Sequence, residues 1–344
     1  MKAEGGGLAA VLAVDGGNSK TDVALVGPDG SIVGKARGGG SNYQNVGTDQ
    51  ATAVLRALVN DVAVAAGLAP GGLVAEHTSA CLAGADLPEE EADLGALVQA
   101  QGWSSTSSVV NDTFAVLRAG LDDVGAPGTG QHWGIGVVCG AGINCVGVAP
   151  DGRTTRFPAL GRISGDWGGG GEIAAEALWW AVRAEDGRGP QTALRTAVPA
   201  HFGVQRVEDV VGGLHFGKIS YAELHGLAPV LFEVANRGDQ VAKDVLLRQA
   251  EEICLMVIAA ARRLSLDGDG GQPVPVVLGG SLMAAKDPIL TGAIMERLAT
   301  MLPGADIRIV DVPPVVGAAL LGLDHVGAPA TAAARLRECA RATW

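Results

Sequence analysis

The stretch Asp15-Gly16-Gly17-Asn18-Ser19-Lys20-Thr21 joins two short apolar runs, Leu8–Val14 and Lys20–Val26. Both runs are typical of buried strands, and the glycines between them predict a tight turn. Glycine leaves room for backbone N–H groups to approach a phosphate, and the polar side chains of the turn add further donors. The alternative is an ordinary hairpin turn. Because a strand follows, and not a helix, the turn is neither a Walker loop nor a dinucleotide-binding fingerprint.

The stretch Gly140-Ala141-Gly142-Ile143-Asn144 repeats this design in the second half of the chain. Each glycine-rich turn lies between two apolar runs, and a Pro-Asp-Gly turn follows each pair, at residues 28–30 and 150–152. The repeat predicts an α/β protein with two matching halves and an active-site cleft between them. We expect domains at residues 1–115 and 116–327. A predicted helix at residues 328–344 either returns to the first domain or joins a dimer interface.

Composition narrows the possible partners. The chain has 344 residues, of which 48% are hydrophobic and 18% charged. That is enough for a large core, and the length favours two domains. The formal net charge of −12 argues against nucleic acid as a partner, because binding a phosphate backbone needs clustered Lys and Arg. No apolar run approaches the roughly 20 residues that span a bilayer, so we expect no membrane partner.

The N-terminus and the five cysteines both indicate a cytoplasmic protein. Met1–Gly7 lacks a basic region followed by an apolar stretch and a cleavage site, and we interpret it as a short disordered lead-in. The cysteines are odd in number and have no zinc-like spacing, which favours buried reduced thiols over a metal or redox site. Reduced thiols are typical of the cytoplasm.

The pair Asn111-Asp112 ends a strand predicted over Ser107–Asp112, and a helix is predicted over Thr113–Leu121. A carboxylate at the mouth of a cleft can accept the proton of a hydroxyl group as that group attacks a phosphate. The alternative is that Asp112 only caps the following helix, which is a common use of aspartate. Asp15, at the end of the first strand, is suited to hold a hydrated Mg²⁺ ion.

Two more glycine-rich segments lie in the second half. The segment 161–172 carries two acidic residues, Asp166 and Glu172, close to the start of a predicted helix. It also contains an arginine and a tryptophan, which are unusual in a flexible linker and favour a ligand-binding loop. The other segment is Gly279-Gly280-Ser281, a strand-to-helix turn that is suited to pack against an adenine and a ribose.

These motifs stand in an order that resembles a known family. They are, from the N-terminus, Asp15–Thr21, Ser41-Asn42, Gly47-Thr48-Asp49, Asn111-Asp112, Gly140–Cys145, Pro150-Asp151-Gly152, Gly165-Asp166-Trp167-Gly168 and Gly279-Gly280-Ser281. The order resembles the N-acetylglucosamine kinase type of the actin-like ATPase superfamily, over nearly the whole chain. The resemblance implies two ribonuclease-H-like α/β domains, ATP and Mg²⁺ in the cleft, phosphoryl transfer to the 6-hydroxyl of an amino sugar, and a homodimer.

The resemblance also implies roles for single residues. Asp112 becomes the catalytic base. The sugar-binding residues that it implies are Asn42, Ser79, Asp112, Asn144 and Asp166. The residues that it implies around the nucleotide phosphates are Asn18, Ser19, Lys20, Thr21, Gly140, Ala141 and Gly142, and those near the nucleoside are Gly279, Gly280 and Ser281.

The chain departs from the animal N-acetylglucosamine kinases at two of these motifs. Those enzymes have Thr where Ala141 stands, and an acidic residue followed by Gly-Ser where Trp167-Gly168-Gly169 stands. A pocket that combines Asp166 and Glu172 would suit the cationic 2-amine of glucosamine better than a neutral acetamide. In this respect the chain is most similar to actinobacterial glucosamine kinases. Glucosamine 6-kinase is therefore the main expectation, with Glu172 added to the sugar-binding residues.

Three alternatives remain open. The first is an N-acetylglucosamine kinase on the same scaffold. The second is an ATPase that activates aromatic-ring reductases, although such proteins hold an iron–sulfur cluster between paired cysteines and here the cysteines are dispersed. The third is a sugar-sensing regulator, although such proteins usually add a DNA-binding domain and no basic helix-turn-helix segment precedes Leu8.

Overall fold

The computed structural model of the chain describes residues 8–121, 132–268 and 272–344, so the lead-in predicted at Met1–Gly7 lies outside the described residues. The strands are β1 (Ala9–Gly16), β2 (Lys20–Val26), β3 (Ile32–Gly39), β4 (Ala75–Leu82), β5 (Ser104–Asn111), β6 (Gly134–Cys139), β7 (Ile143–Val148), β8 (Thr154–Arg156), β9 (Val274–Gly279) and β10 (Ala305–Ile309).

The helices are α1 (Tyr43–Val46), α2 (Thr48–Ala65), α3 (Pro88–Ala100), α4 (Asp112–Gly120), α5 (Gly170–Glu185), α6 (Leu194–His201), α7 (Val207–His215), α8 (Tyr221–Leu224), α9 (Leu227–Asn236), α10 (Gln240–Leu264), α11 (Ser281–Ala284), α12 (Pro288–Met301), α13 (Pro314–His325) and α14 (Ala330–Thr343). A short 3-10 helix covers Gly161–Ser164. Within the described residues, no helix is both long and apolar enough to span a membrane.

The strands form two five-stranded sheets of the same design, which confirms the predicted α/β fold and its internal repeat. The first sheet has the order β3-β2-β1-β4-β5, and the second has the order β8-β7-β6-β9-β10. In both sheets the first three strands in chain order lie side by side. The next two strands lie on the other side of the first strand. In the first sheet β1 pairs antiparallel with β2 and parallel with β4, and β4 pairs parallel with β5.

The chain divides into two compact units. Of the described residues, unit 1 contains 8–121, 132–136, 146–158 and 308–344, and unit 2 contains 137–145, 159–268 and 272–307. The division is therefore discontinuous, whereas the sequence predicts domains at residues 1–115 and 116–327, with a helix at 328–344 that follows them. The last segment belongs to unit 1, where α13 and α14 contribute to the core around β1.

The first sheet is covered on both faces within unit 1. Successive residues of a strand point to opposite faces. Val11 and Ala13 of β1 accordingly pack into a cluster with α13 and α14, whereas Leu12 and Val14 pack into a cluster with α2 and α3. All eight residues of β1 are buried, and this explains why the strand appears in the sequence as a nearly continuous apolar run.

The longest of the described helices, α10, spans Gln240–Leu264, and its buried residues recur at helical spacing. The helices α8 and α9 are separate and meet near Gly226. A Cβ atom at Gly226 would lie 2.6 Å from His201 Nε2, so the chain passes close to the end of α6 at this point.

Candidate active site

Two acidic residues lie at the carboxyl edge of the first sheet, where open α/β sheets commonly bind ligands. Asp15 is the penultimate residue of β1, and Asp112 begins α4 directly after β5. The strand β4 lies between them, with Leu82 in register with Gly16 on one side and with Asn111 on the other. The parallel pairing therefore brings to one edge two residues that are about 100 positions apart in the sequence.

Asp112 is not the cap of α4. That role belongs to Asn111, whose side-chain oxygen accepts a hydrogen bond of 2.9 Å from the backbone N–H of Thr113. Burial raises the pKa of the Asp112 carboxyl group from its ordinary value of 3.8 to about 6. The carboxyl group is thus available for proton transfer near neutral pH.

Asp15 is buried, with 7% of its surface exposed, on the face of β1 that also carries Val11 and Ala13. Burial raises its pKa from 3.8 to about 8, and the negative charges of Asp112 and Asp22 act in the same direction. Burial and the neighbouring negative charges make the ionised form of this carboxylate energetically unfavourable. A bound cation would remove that cost.

Asp22 and Arg37 are members of this cluster that sequence analysis missed. In the strand register Asp22 lies opposite Asp15, and Arg37 lies opposite Asp22. Arg37 donates two hydrogen bonds to the Asp22 carboxylate, of 2.6 and 3.0 Å, and Lys20 Nζ lies 3.1 Å from the same group. Because only the register brings these residues beside Asp15, no local motif could have revealed them.

Two side chains of the first turn form hydrogen bonds with neighbouring residues of unit 1. Thr21 is fully buried and donates to Ser41 Oγ at 2.8 Å. Asn18 accepts hydrogen bonds from Asn42 at 2.7 Å and from Asn45 at 2.8 Å. Ser19, Asn18 and Lys20 are exposed at the tip of the turn. The structure therefore brings the predicted sugar residue Asn42 into contact with the predicted phosphate turn.

One residue of unit 1 that was not predicted lies beside the site, and one predicted residue does not. Asp86 was not predicted, yet it is buried and accepts a hydrogen bond of 2.8 Å from Asn111, next to Asp112. Ser79 was predicted to touch the sugar, but it lies in the middle of β4, three residues before the strand ends. It faces α13, because a Cβ atom at Gly322 would lie 3.1 Å from the Ser79 Cβ. The structure does not bring Ser79 to the carboxyl edge.

In unit 2, the second turn is held by the backbone of the loop that starts α5. Gly170 N–H donates to Gly140 C=O at 2.7 Å, and Gly171 N–H donates to Ala141 C=O at 3.0 Å. A Cβ atom at Gly169 would lie 2.4 Å from the Gly142 Cα, so only glycine fits there. The segment 161–172 is thus part of the support of the second turn.

The third glycine turn also meets this region. Gly280 has a φ of +93°, and a Cβ atom there would lie 2.4 Å from the carbonyl oxygen of Cys139, the last residue of β6. A Cβ atom at Gly140 would lie 4.0 Å from both Ser281 N and Ser281 Oγ. The predicted phosphate turn and the predicted nucleoside turn are therefore neighbours within unit 2.

The predicted sugar residues of unit 2 already have partners. Asn144 is buried, and its side-chain oxygen accepts a hydrogen bond of 2.7 Å from the N–H of Cys145. Asp166 accepts a hydrogen bond from Ser164 Oγ. Glu172 forms an ion pair of 2.9 Å with Arg162. Because an arginine already compensates Glu172, the premise that this carboxylate awaits a cationic amine does not hold in the structure.

The cysteines form no disulfide among the described residues. All five cysteines are free thiols, and Cys81, Cys139, Cys145 and Cys254 are buried. Over the described parts of the chain, no group of three or more His, Cys, Asp or Glu side chains is arranged as a metal site.

Comparison with known proteins identifies the family. The model of the BadF/BadG/BcrA/BcrD ATPase family matches residues 12–322. The chain belongs to this family. Its members are ATPases by name, and the two-sheet fold agrees with the predicted actin-like ATPase architecture.

Two curated relatives of this ATPase family member are named as sugar kinases. The N-acetyl-D-glucosamine kinase of Dictyostelium discoideum is 26% identical over 91% of this chain and 97% of its own length. The N-acetylmuramic acid/N-acetylglucosamine kinase of Clostridium acetobutylicum is 29% identical over 74% of this chain and 80% of its own length.

A solved structure shares the fold. A Chromobacterium violaceum protein that is provisionally named an N-acetylglucosamine kinase superimposes with a TM-score of 0.69, over 92% of this chain and 99% of its own. The two sequences are 23% identical, and the match therefore shows the fold alone.

Proposed function

We propose that this ATPase family member is an N-acetylglucosamine kinase, which transfers the γ-phosphoryl group of ATP to the 6-hydroxyl of the sugar. The observation that carries the proposal is Asp112, a carboxyl group at the carboxyl edge of the first sheet with a pKa of about 6 and no capping duty. The ATPase family supports ATP as the donor, and the names of the two curated relatives support the acceptor.

In the proposed reaction Asp112 accepts the proton of the 6-hydroxyl group. The sugar oxygen forms a bond to the γ-phosphorus, the bond from that phosphorus to the β–γ bridging oxygen breaks, and ADP leaves. A base must be ionised before it can accept a proton. A pKa of about 6 leaves most Asp112 carboxyl groups ionised at neutral pH, while keeping their affinity for a proton above that of an ordinary aspartate.

We propose Mg²⁺ as the metal, with Asp15 as its protein ligand. Mg²⁺ prefers oxygen ligands and commonly takes one or two carboxylates together with substrate phosphates. The raised pKa of Asp15 and the charges of Asp112 and Asp22 fit a site that is completed by a cation. When bound, Mg²⁺ neutralises charge on the transferring phosphates.

The binding residues follow from the two glycine-rich turns. We assign Asn18–Thr21 and Gly140–Gly142 to the phosphates and Gly279–Ser281 to the nucleoside. Support comes from the contacts between the last two turns within unit 2. We assign Asn42, Asn144 and Asp166 to the sugar, and we leave Ser79 out because it faces α13.

Glucosamine is the second candidate acceptor. Asp166 lies in the segment predicted to meet the amine, and its carboxylate would suit a cation. The ion pair between Glu172 and Arg162 counts against glucosamine, because it removes one of the two charges that favoured it. A neutral acetamide needs no compensating charge, and both curated relatives carry N-acetylglucosamine in their names.

A panel of acceptors tests the proposal. Initial rates with Mg-ATP would be compared for N-acetylglucosamine, glucosamine and glucose, with 6-deoxy-N-acetylglucosamine as the control that lacks the accepting hydroxyl. We expect kcat/KM for N-acetylglucosamine to exceed that for glucosamine at least about tenfold, a difference of about 1.4 kcal/mol in transition-state binding. A preference for glucosamine would overturn the sugar assignment, and no transfer to any hexosamine would overturn the kinase assignment.

The cytoplasmic location and the homodimer stay predictions. Light scattering on the purified chain would test the dimer.

A further inference from the structure

Gln249, in the middle of α10, has no exposed surface. Burying an amide is costly unless it is hydrogen-bonded. Its side-chain oxygen accepts a hydrogen bond of 2.8 Å from the backbone N–H of Gly169. Its side-chain nitrogen has no hydrogen-bond partner in the described chain. An apolar side chain of similar length would fill the same space without an unmet donor, so it is the oxygen atom that this position requires.

The hydrogen bond between Gly169 and Gln249 holds the loop before α5 in place. That loop in its own right contacts the second glycine-rich turn. Gly169 lies against Gly142, where a Cβ atom would approach to 2.4 Å. The next two residues, which begin α5, donate backbone hydrogen bonds to Gly140 and Ala141, at 2.7 and 3.0 Å. All of these residues belong to unit 2. An unbroken series of contacts therefore runs from the interior of α10 to the turn at residues 140–142.

The residue before Gln249 holds the same loop at a second point. The Arg248 guanidinium group stacks on the ring of Trp167 at 3.9 Å and lies 3.7 Å from Glu176 of α5. Trp167 is itself buried, with 5% of its surface exposed. Arg248 thus braces the loop from its partly exposed side, whereas Gln249 ties down its backbone from the buried side.

We propose that Gln249 is a positioning residue for nucleotide binding. Through Gly169 it sets the backbone geometry of the turn Gly140–Gly142, and it touches neither substrate. The inference rests on the proposed function, which assigns this turn to the ATP phosphates. Misplacement of a binding group by about 1 Å can lower a rate about a hundredfold, and so a remote side chain can have a large effect.

The test uses matched variants of the full chain. Q249M keeps the length of the side chain and removes the accepting oxygen, whereas Q249E keeps an oxygen in that position. Ile253→Val is the control. Ile253 is fully buried one turn further along α10, and its apolar side chain forms no hydrogen bond with the loop. The affinity for a non-hydrolysable ATP analogue, kcat/KM for ATP and amide hydrogen exchange would be measured for each.

For Q249M we expect an affinity for the ATP analogue about tenfold weaker, a kcat/KM about ten- to a hundredfold lower, and faster exchange at residues 140–142 and 169–171. Q249E should recover part of the affinity. Ile253→Val should lower the unfolding temperature and leave the affinity unchanged. Should Q249M fail to fold, Q249N replaces it, because the shorter amide cannot reach Gly169.

Wild-type affinity and exchange in Q249M would overturn the inference. A lower unfolding temperature with unchanged affinity would also overturn it, because that pattern indicates a purely structural role. Analogue binding and amide exchange need no sugar. An inactive wild-type enzyme in the acceptor panel would therefore contradict the proposed function, while the role of Gln249 would still be decided by these two measurements.

Discussion

The two glycine-rich turns have the same topology but are held in different ways. In the first, Asp15–Thr21, side chains add to the backbone contacts: Thr21 donates to Ser41, and Asn18 accepts from Asn42 and Asn45. Backbone hydrogen bonds also run from Ser41 N–H to Gly17 C=O and from Ala83 N–H to Gly16 C=O. In the second, Gly140–Asn144, the contacts to the first residues of α5 are made by backbone groups. The first turn also lies beside a cluster of buried carboxylates, whereas the second contains no charged side chain.

This difference separates two tasks. A turn surrounded by Asp15, Asp22 and Asp112 can attract a cation and accept a proton, because both tasks need negative charge. A turn built from glycine backbone can surround an anion closely, because its N–H groups approach without steric hindrance. A repeated fold therefore does not imply two equivalent sites. Three changes test the comparison.

The largest effect is expected for Asp112→Asn in unit 1. The variant keeps the shape of the side chain and removes the base, and base assistance is worth about 10²–10⁴ in rate. We expect kcat to fall about a thousandfold, with affinity for the ATP analogue unchanged. The wild-type kcat/KM should fall as the pH drops through about 6, where Asp112 becomes protonated, and the residual activity of the variant should lack this dependence. Full activity in the variant would remove Asp112 from the mechanism.

An intermediate effect is expected in unit 2, from Gly169→Ala. The added methyl group would lie 2.4 Å from the Gly142 Cα, and the φ of +85° is unfavourable for alanine. We expect kcat/KM to fall about ten- to a hundredfold, because the turn must shift. Gly142→Ala is the matched control, since a Cβ atom there meets nothing within 4 Å. It should preserve the unfolding temperature and raise only KM for ATP. Equal loss of stability in both variants would contradict the idea of a tightly packed second turn.

The smallest effect is expected on stability, from Asp15→Asn. The pKa of Asp15 is about 8 in the folded chain and close to 3.8 when unfolded, so the unfolded state gives up this proton at lower pH. The metal-free wild type therefore loses stability as the pH rises from about 4 to about 8, and the variant does not. At pH 8 we expect the variant to unfold a few degrees higher. Mg²⁺ with an ATP analogue should raise the unfolding temperature of the wild type more than that of the variant. The reverse order would exclude Asp15 as the metal ligand.

The repeat in the sequence was sufficient to predict the fold. Two copies of strand, glycine turn, strand and Pro-Asp-Gly predicted two sheets of one design, because these signals are local. The position of Asp112 at a strand end was predictable for the same reason. The sequence could not show that Asp112 is not the helix cap, because Asn and Asp are equally good caps. Only the structure identifies Asn111 as the cap.

The remaining parts of the candidate site depend on contacts between distant segments. Arg37 reaches Asp22 through the strand register, and Asp86 reaches Asn111 across 25 positions in the sequence. Arg162 and Glu172 form an ion pair that spans a glycine-rich loop of uncertain shape in the sequence. The expected preference for glucosamine depends on Glu172 being unpaired, and the ion pair with Arg162 removes that premise.

The discontinuous composition of unit 1 has a consequence for biosynthesis. Val11 and Ala13 of β1 are covered by α13 and α14, which are translated about 300 residues later. At the usual elongation rate of about 5–20 residues per second, this apolar face stays open on the ribosome for roughly 15–60 seconds. A chain that stops before α13 would lack the residues of α13 and α14 that complete this part of the core, and we expect it to remain incompletely folded.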